Sequence, residues 1–263
     1  MLVCALLATL AVAAPAGAQG GRGAGAGGEQ APSPRQAAPV DLTGYWVSVV
    51  SEDWRYRMMT PPKGDTGGVP LNAEGRRVAG EWDPARDAAA GEACRAYGAP
   101  GLMRRPGRLN ITWQDDRTLK IETDAGTQTR LLHFAPPQGR GAPSESRGGA
   151  GALAGAGERT WQGTSTAAWD GIQRDAAVRW GSLRVVTTQL RPGYLRKNGV
   201  PYSESTVLTE HFDLHPGPGN STWITITTIV NDPKYLGQEF ITSTDFRKDP
   251  DGSKWSPTPC SAD

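Results

Sequence analysis

Glu210 stands between Leu208 and Phe212 in a stretch, 205–214, that alternates apolar and polar residues. On a strand these three side chains share one face. A carboxylate among apolar neighbours must be paired or carry a raised pKa, so Glu210 is a candidate acid–base group or the partner of an arginine. His211, Asp213 and His215 take the opposite face. Two histidines four residues apart on a strand are roughly 13 Å apart, too far to chelate one ion together. That face reads as solvated, and no metal is expected. In 127–134, His133 shares a face with Thr129 and Leu131, while Arg130 shares the other with Leu132 and Phe134. Both faces are mixed, so the inward face of this strand stays open. If the protein is an enzyme, His133 and Glu210 are the catalytic pair; Arg130 is a ligand-binding candidate.

The densest set of recognition side chains is the segment Arg191–Glu204. It is too long for a minimal hairpin. Pro192-Gly193 and Pro201 restrict its backbone. Arg191, Arg196 and Lys197 suit a carboxylate, a phosphate or a sugar hydroxyl. Tyr194 and Tyr202 offer amphipathic faces, and Glu204 can orient an arginine. The segment joins two expected strands, which puts it at one end of a barrel, where ligand sites are common. The bland alternative is a loop stapled by its own contacts.

Established motifs are missing. There is no Gly-x-Ser-x-Gly, no HExxH and no GxxxxGK[ST], and no cofactor is implied. Lys and Arg total 28 against 27 Asp and Glu, which leaves no electrostatic footprint for nucleic acid. The 9 Trp against 4 Phe suit either a barrel core or a stacking platform for sugars.

The elements that must position these residues read as β. Leu109, Ile111 and Trp113 alternate with polar residues, 114–117 turns the chain, and Leu119 and Ile121 alternate again before 127–134, a three-strand meander. Further strands are expected at 42–50, 54–59, 160–169, 183–190, 205–214, 222–230, 239–247 and 253–258. Only 72–95 reads as helical, capped by Asn72 and split by Pro84. Many short strands with one helical segment predict a mainly β, antiparallel barrel-like (lipocalin-like) meander, because closure removes exposed edges.

Residues 1–18 read as a signal peptide: an apolar run too short to span a bilayer, ending in Ala16-x-Ala18. The mature chain then starts at Gln19, without a membrane span, in the periplasm or outside the cell. It keeps two cysteines, Cys94 and Cys260. An even count in an exported chain predicts a disulfide, worth about 5 kcal/mol for so long a loop. Residues 19–39 read as a disordered Gly/Ala/Pro-rich leader, and 139–158 as a disordered Gly/Ala-rich loop. The remainder of 40–263 reads as a single barrel domain.

Leu42–Trp46, Gly107–Trp113, Trp169–Gly171 leading to Leu183–Thr188, Arg191–Arg196 and Ser253–Cys260 resemble a group of uncharacterised exported bacterial β-rich, lipocalin-like proteins. The resemblance runs through most of 40–260 and departs at 139–158 and at Ile172–Trp180, both of which look like lengthened loops. It implies export and a β-rich fold, but carries over no activity and no site residue. The expected function is therefore a small-ligand-binding barrel. The alternatives are an isomerase- or hydrolase-type enzyme using the barrel cavity, and a structural envelope-associated protein.

Overall fold

The structure, a computed structural model, describes residues 31–135, 158–170 and 181–263. The expected signal peptide, the leader up to residue 30, all but the last residue of 139–158, and the stretch Ile172–Trp180 lie outside the described residues. Pro32–Asp263 form a compact unit.

In chain order the strands are β1 (Gly44–Val49), β2 (Arg108–Asp115), β3 (Thr118–Thr123), β4 (Thr129–Phe134), β5 (Thr164–Asp170), β6 (Ser182–Thr188), β7 (Gly193–Tyr194), β8 (Pro201–Tyr202), β9 (Val207–Gly217), β10 (Ser221–Asn231) and β11 (Phe240–Asp249). Nine of them close into a barrel in the order β1-β11-β10-β9-β6-β5-β4-β3-β2, and β7 and β8 pair only with each other. The first and last strands close the ring, with Tyr45 opposite Asp249. An odd ring cannot alternate direction all the way round. Eight of the nine pairings are antiparallel and one, β4 with β5, is parallel, with Leu132 opposite Ser165 and Phe134 opposite Ala167. A parallel pair needs a long crossover, and the low-complexity stretch that joins these two strands has that length.

Alternation along the strands fills the barrel. Trp46, Ile111, Ile121, Leu132, Leu183, Phe212 and Ile226 are all fully buried and belong to one apolar cluster. Leu208 and Val230 belong to a second cluster, with Leu71, Leu195, Val200 and Tyr202, at the rim where β4 begins. The cap over this upper rim includes α1 (Trp54–Met58), α2 (Ala73–Ala79), α3 (Pro84–Ala89), a 3₁₀ turn at Ala93–Tyr97 and α4 (Ala99–Leu102), together with the segment 189–206. Asn72 Oδ1 caps α2 by accepting from Gly75 N at 2.9 Å. Pro84 opens α3, and Asp83 Oδ1 accepts from Arg86 N at 3.1 Å, a pre-organised helix start.

Three local expectations fail. Residues 54–59 were expected as a strand, because Trp54, Tyr56 and Met58 alternate with arginines. They form α1 instead, which leaves Trp54 and Met58 exposed and buries Arg57. Residues 253–258 form no strand: one bridge, Ala125 with Thr258, is all they add, because Pro257 and Pro259 have no N–H to donate. The leader was expected to be disordered up to residue 39, yet 32–39 lie against the barrel. Trp169 Nε1 donates to Pro34 O at 2.9 Å, and Arg35 N donates to Asp116 O at 3.2 Å. That contact covers an aromatic trio at the lower rim, Trp113, Phe134 and Trp169, with centroids 5.5–6.5 Å apart.

Cys94 and Cys260 are disulfide-bonded, with Cα atoms 5.1 Å apart and a sequence separation of 166. The bridge pins the C-terminal tail to the 3₁₀ turn of the cap. Thr258 N donates to Asp124 O at 2.8 Å along the same tail. Among the described residues no helix is long and apolar enough to cross a membrane.

Candidate functional site

Arg130 settles the inward face of β4. It is buried with Leu132 and Phe134, while His133 is exposed on the outer face with Thr118 Oγ1 at 3.4 Å from its Nδ1. Arg130 grips Glu210 inside the barrel in two hydrogen bonds, Nη1 to Oε1 at 3.0 Å and Nη2 to Oε2 at 2.6 Å. Thr187 Oγ1 accepts from Nη2 at 3.3 Å and lies 2.8 Å from Ser165 Oγ. Both charged side chains are at most 1% exposed. Thr228 sits opposite Glu210 on β10. The strand register thus builds one polar layer among apolar ones. The barrel wall separates His133 from Glu210, so the structure does not bring the acid–base pair together. His211 is half-buried, and Asp213 and His215 are exposed, all on the outer face; no metal-binding group of His, Cys, Asp or Glu occurs among the described residues.

The segment Arg191–Glu204 is no open rim loop. From Gly193 to Ser203 nearly every residue is buried, and the segment plugs the upper rim. Two anchors hold it. Asp232 accepts from Ser203 N at 2.5 Å and from Thr206 Oγ1 at 2.8 Å. Asn198 Nδ2 donates to Pro62 O and Asp65 O. Gly101 lets α4 lie directly on this backbone: a Cβ there would sit 3.0 Å from the carbonyl oxygens of Tyr194 and Leu195.

Beside the plug lies a cavity of about 150 Å³ between α2, α3 and the β7–β8 pair, lined by Trp82, Arg86, Arg95, Tyr194, Tyr202 and Tyr235 among others. Tyr194 Oη donates to Asp87 Oδ2 at 2.8 Å, and Arg95 Nη1 donates to Asp87 Oδ1 at 2.8 Å. The Arg95 guanidinium stacks 4.5 Å from the centre of the Tyr194 ring. Burial, then the bond to Asp87, raises the Tyr194 hydroxyl well above the ordinary tyrosine range, and burial raises Tyr202 likewise. Both stay protonated donors. Trp82 Nε1, Arg95 Nε and Tyr202 Oη are buried with no hydrogen-bond partner among the described residues; Arg95 Nε keeps an ionic contact with Glu92 at 3.5 Å. The cavity therefore offers flat apolar walls, and two of the residues that line it, Trp82 and Tyr202, carry donors without an acceptor among the described residues.

Of the expected site residues, Tyr194 and Tyr202 line this cavity. Arg191 sits over the Trp161 ring at 4.5 Å and pairs with Glu92. Glu204 pairs with Lys234 at 3.2 Å. Arg196 lies over the Tyr56 ring at 4.1 Å and donates to Gly67 O, and Lys197 Nζ is 3.5 Å from Ser261 Oγ. Arg130 and Glu210 belong to the barrel interior. The segment does not converge on one ligand as expected. Sequence reasoning missed Trp82, Asp87 and Arg95, which come from the helical stretch. The signal available was Trp82 beside Asp83-Pro84, an aromatic at a helix boundary. No family model, no curated protein and no solved structure matches the chain.

Proposed function

We propose that the protein is an exported, non-catalytic small-ligand-binding barrel of the lipocalin-like kind, and that its ligand sits in the rim cavity rather than in the barrel. The observation that carries this reading is the cavity walled by Trp82, Tyr194 and Tyr202, with buried donors on Trp82 and Tyr202 that have no acceptor among the described residues. Aromatic walls with a few polar groups are the usual make-up of a ligand site. At about 150 Å³ the cavity is smaller than the roughly 300–1,000 Å³ of sites for drug-sized ligands. It suits a compact molecule with a flat face and an acceptor end, such as an aromatic acid or a sugar acid. The barrel interior is filled by its own side chains and by the Arg130–Glu210 pair. The Cys94–Cys260 bridge supports an oxidising compartment, the periplasm or the cell exterior.

Native mass spectrometry of protein purified from an oxidising compartment tests this. We expect a ligand recovered chemically unchanged, lost in Trp82→Ala with the circular dichroism spectrum intact. A wild-type protein that carries nothing and binds no member of a panel of aromatic and sugar acids overturns it.

A further inference from the structure

Arg57, Arg104 and Arg196 are 5%, 6% and 3% exposed, and each has a guanidinium nitrogen in excess of its partners. Arg57 Nε donates to Arg104 O at 3.1 Å and Arg57 pairs with Glu52. Arg104 Nη2 donates to Asp53 Oδ2 at 2.8 Å. Among the described residues the Arg196 guanidinium has only Gly67 O and the Tyr56 ring. Arg57 Nη2, Arg104 Nη1 and Arg196 Nε are buried and bond nothing among the described residues. A buried guanidinium that served only to staple the cap would place its donors on carbonyls; a buried donor without an acceptor is costly.

The charge balance points the same way. Arg105 and Lys197 stand beside these three. Arg105 Nε reaches Ala96 O, and its guanidinium lies over the Tyr97 ring at 5.6 Å. Among the described residues no carboxylate lies within ion-pair distance of Arg105, Arg196 or Lys197. The nearest acidic groups are Glu52, Asp53, Asp65, Asp245 and Asp263; Asp65 is taken by Arg55. Burial, more than any other cause, lowers the pKa values of Arg57, Arg105, Arg196 and Lys197, and the charge of Arg104 lowers those of the three arginines further. Arginine stays charged under such a load. The cluster is therefore held together against its own repulsion and desolvation.

We propose that Arg57, Arg104 and Arg196 form a binding site for a small tetrahedral oxyanion, phosphate or sulfate in kind, separate from the aromatic cavity. Three donors from three parts of the chain match an ion with three or more acceptor oxygens, and a carboxylate offers only two. The site joins α1, the end of α4 and the plug, so the anion acts as a clip across the cap. The source is either the free ion or the head of a phosphomonoester; the recognising chemistry is the same.

Isothermal titration of the whole protein with inorganic phosphate, and separately with glycerol phosphate, tests this at constant ionic strength set by chloride. We expect one saturable site, a higher melting temperature, and affinity at least tenfold weaker in Arg196→Gln, with Arg184→Gln, on the exposed outer face of β6, unchanged. Binding of glycerol phosphate alone retains the site and identifies its source as a phosphomonoester. Crystals grown in selenate need no variant: an anomalous peak within hydrogen-bond distance of Arg57 Nη2, Arg104 Nη1 or Arg196 Nε supports the proposal. No saturable binding of either compound, or unchanged binding in Arg196→Gln, overturns it, and where inorganic phosphate binds, selenate absent from these three atoms overturns it too.

Discussion

Arg130 and Glu210 are 80 residues apart in sequence and meet across the barrel interior in a two-point ion pair, Nη1–Oε1 at 3.0 Å and Nη2–Oε2 at 2.6 Å. Each is buried at the level of the surrounding leucines and isoleucines. Removing one partner strands the other charge. Glu210→Leu or Arg130→Met alone is expected to cost about 3–5 kcal/mol. The double variant is expected to recover most of that, because two apolar side chains in the same space are close to neutral. Urea unfolding of the two single variants and the double variant checks it; single variants within 1 kcal/mol of wild type, about the experimental resolution, would show that the pair is not what it looks like.

Tyr194 and Tyr202 both have hydroxyls whose pKa is raised by burial above the ordinary tyrosine value of about 10. A raised folded-state pKa means that the native state holds its proton after the unfolded chain has lost it. Their contribution is intact below about pH 10 and is lost as pH rises beyond it. Alkaline unfolding is expected to begin there, with stability falling by up to two protons' worth of slope. Tyr194→Phe and Tyr202→Phe each remove one. Stability measured from pH 8 to 12 in the three proteins decides, and identical slopes would refute the assignment.

Gly98 and Tyr202 fit only while Gly98 has no side chain. A Cβ there would lie 2.0 Å from Tyr202 Oη and 3.1 Å from Trp161 O. Gly98→Ala is expected to cost about 1–3 kcal/mol by overpacking. Tyr202→Phe in the same chain removes the closest atom and is expected to restore part of the loss. A double-mutant cycle by thermal unfolding reads the coupling, and strict additivity would be evidence that the ring moves freely.

Cutting the Cys94–Cys260 bond frees a tail that otherwise runs beside Asp124 and Gln128. The Cys94→Ala/Cys260→Ala variant is expected to lose about 2–5 kcal/mol. Reductant is expected to lower the melting temperature of the wild type but not of the variant.

The barrel was legible where one period governed. Leu109, Ile111, Leu119 and Ile121 alternate cleanly, and all four point inward. The disulfide followed from an even cysteine count. Asn72 and Pro84 carried enough local chemistry to place two helix starts. Legibility ended where tertiary contacts overrode local pattern. Arg57 is buried and Trp54 exposed, the reverse of what their types predict, because Arg57 is committed to Arg104 O and Glu52. The plug failed in a similar way: a Pro- and Tyr-rich connector looks like a surface loop, and its burial depends on Asp232 and Asn198 reaching distant backbone. The cavity was half visible. Tyr194 and Tyr202 belonged to the expected segment, whereas Trp82 and Arg95 are contributed by residues about a hundred positions earlier, and no spacing rule connects them.

The parallel pairing of β4 with β5 rests on three residue pairs, whereas β9 and β10 share eleven. A ring with one short join behaves mechanically as a curled ribbon fastened by a clasp. Breathing motions and the first step of forced opening concentrate at the least fastened join. The His133 amide, which alternation turns toward β5 while Phe134 N donates to Arg117 O on the β3 side, should therefore exchange its hydrogen ahead of the β9–β10 amides. Because the clasp lies beside Arg130, each such opening admits water to the buried charge pair without unfolding the rest of the wall.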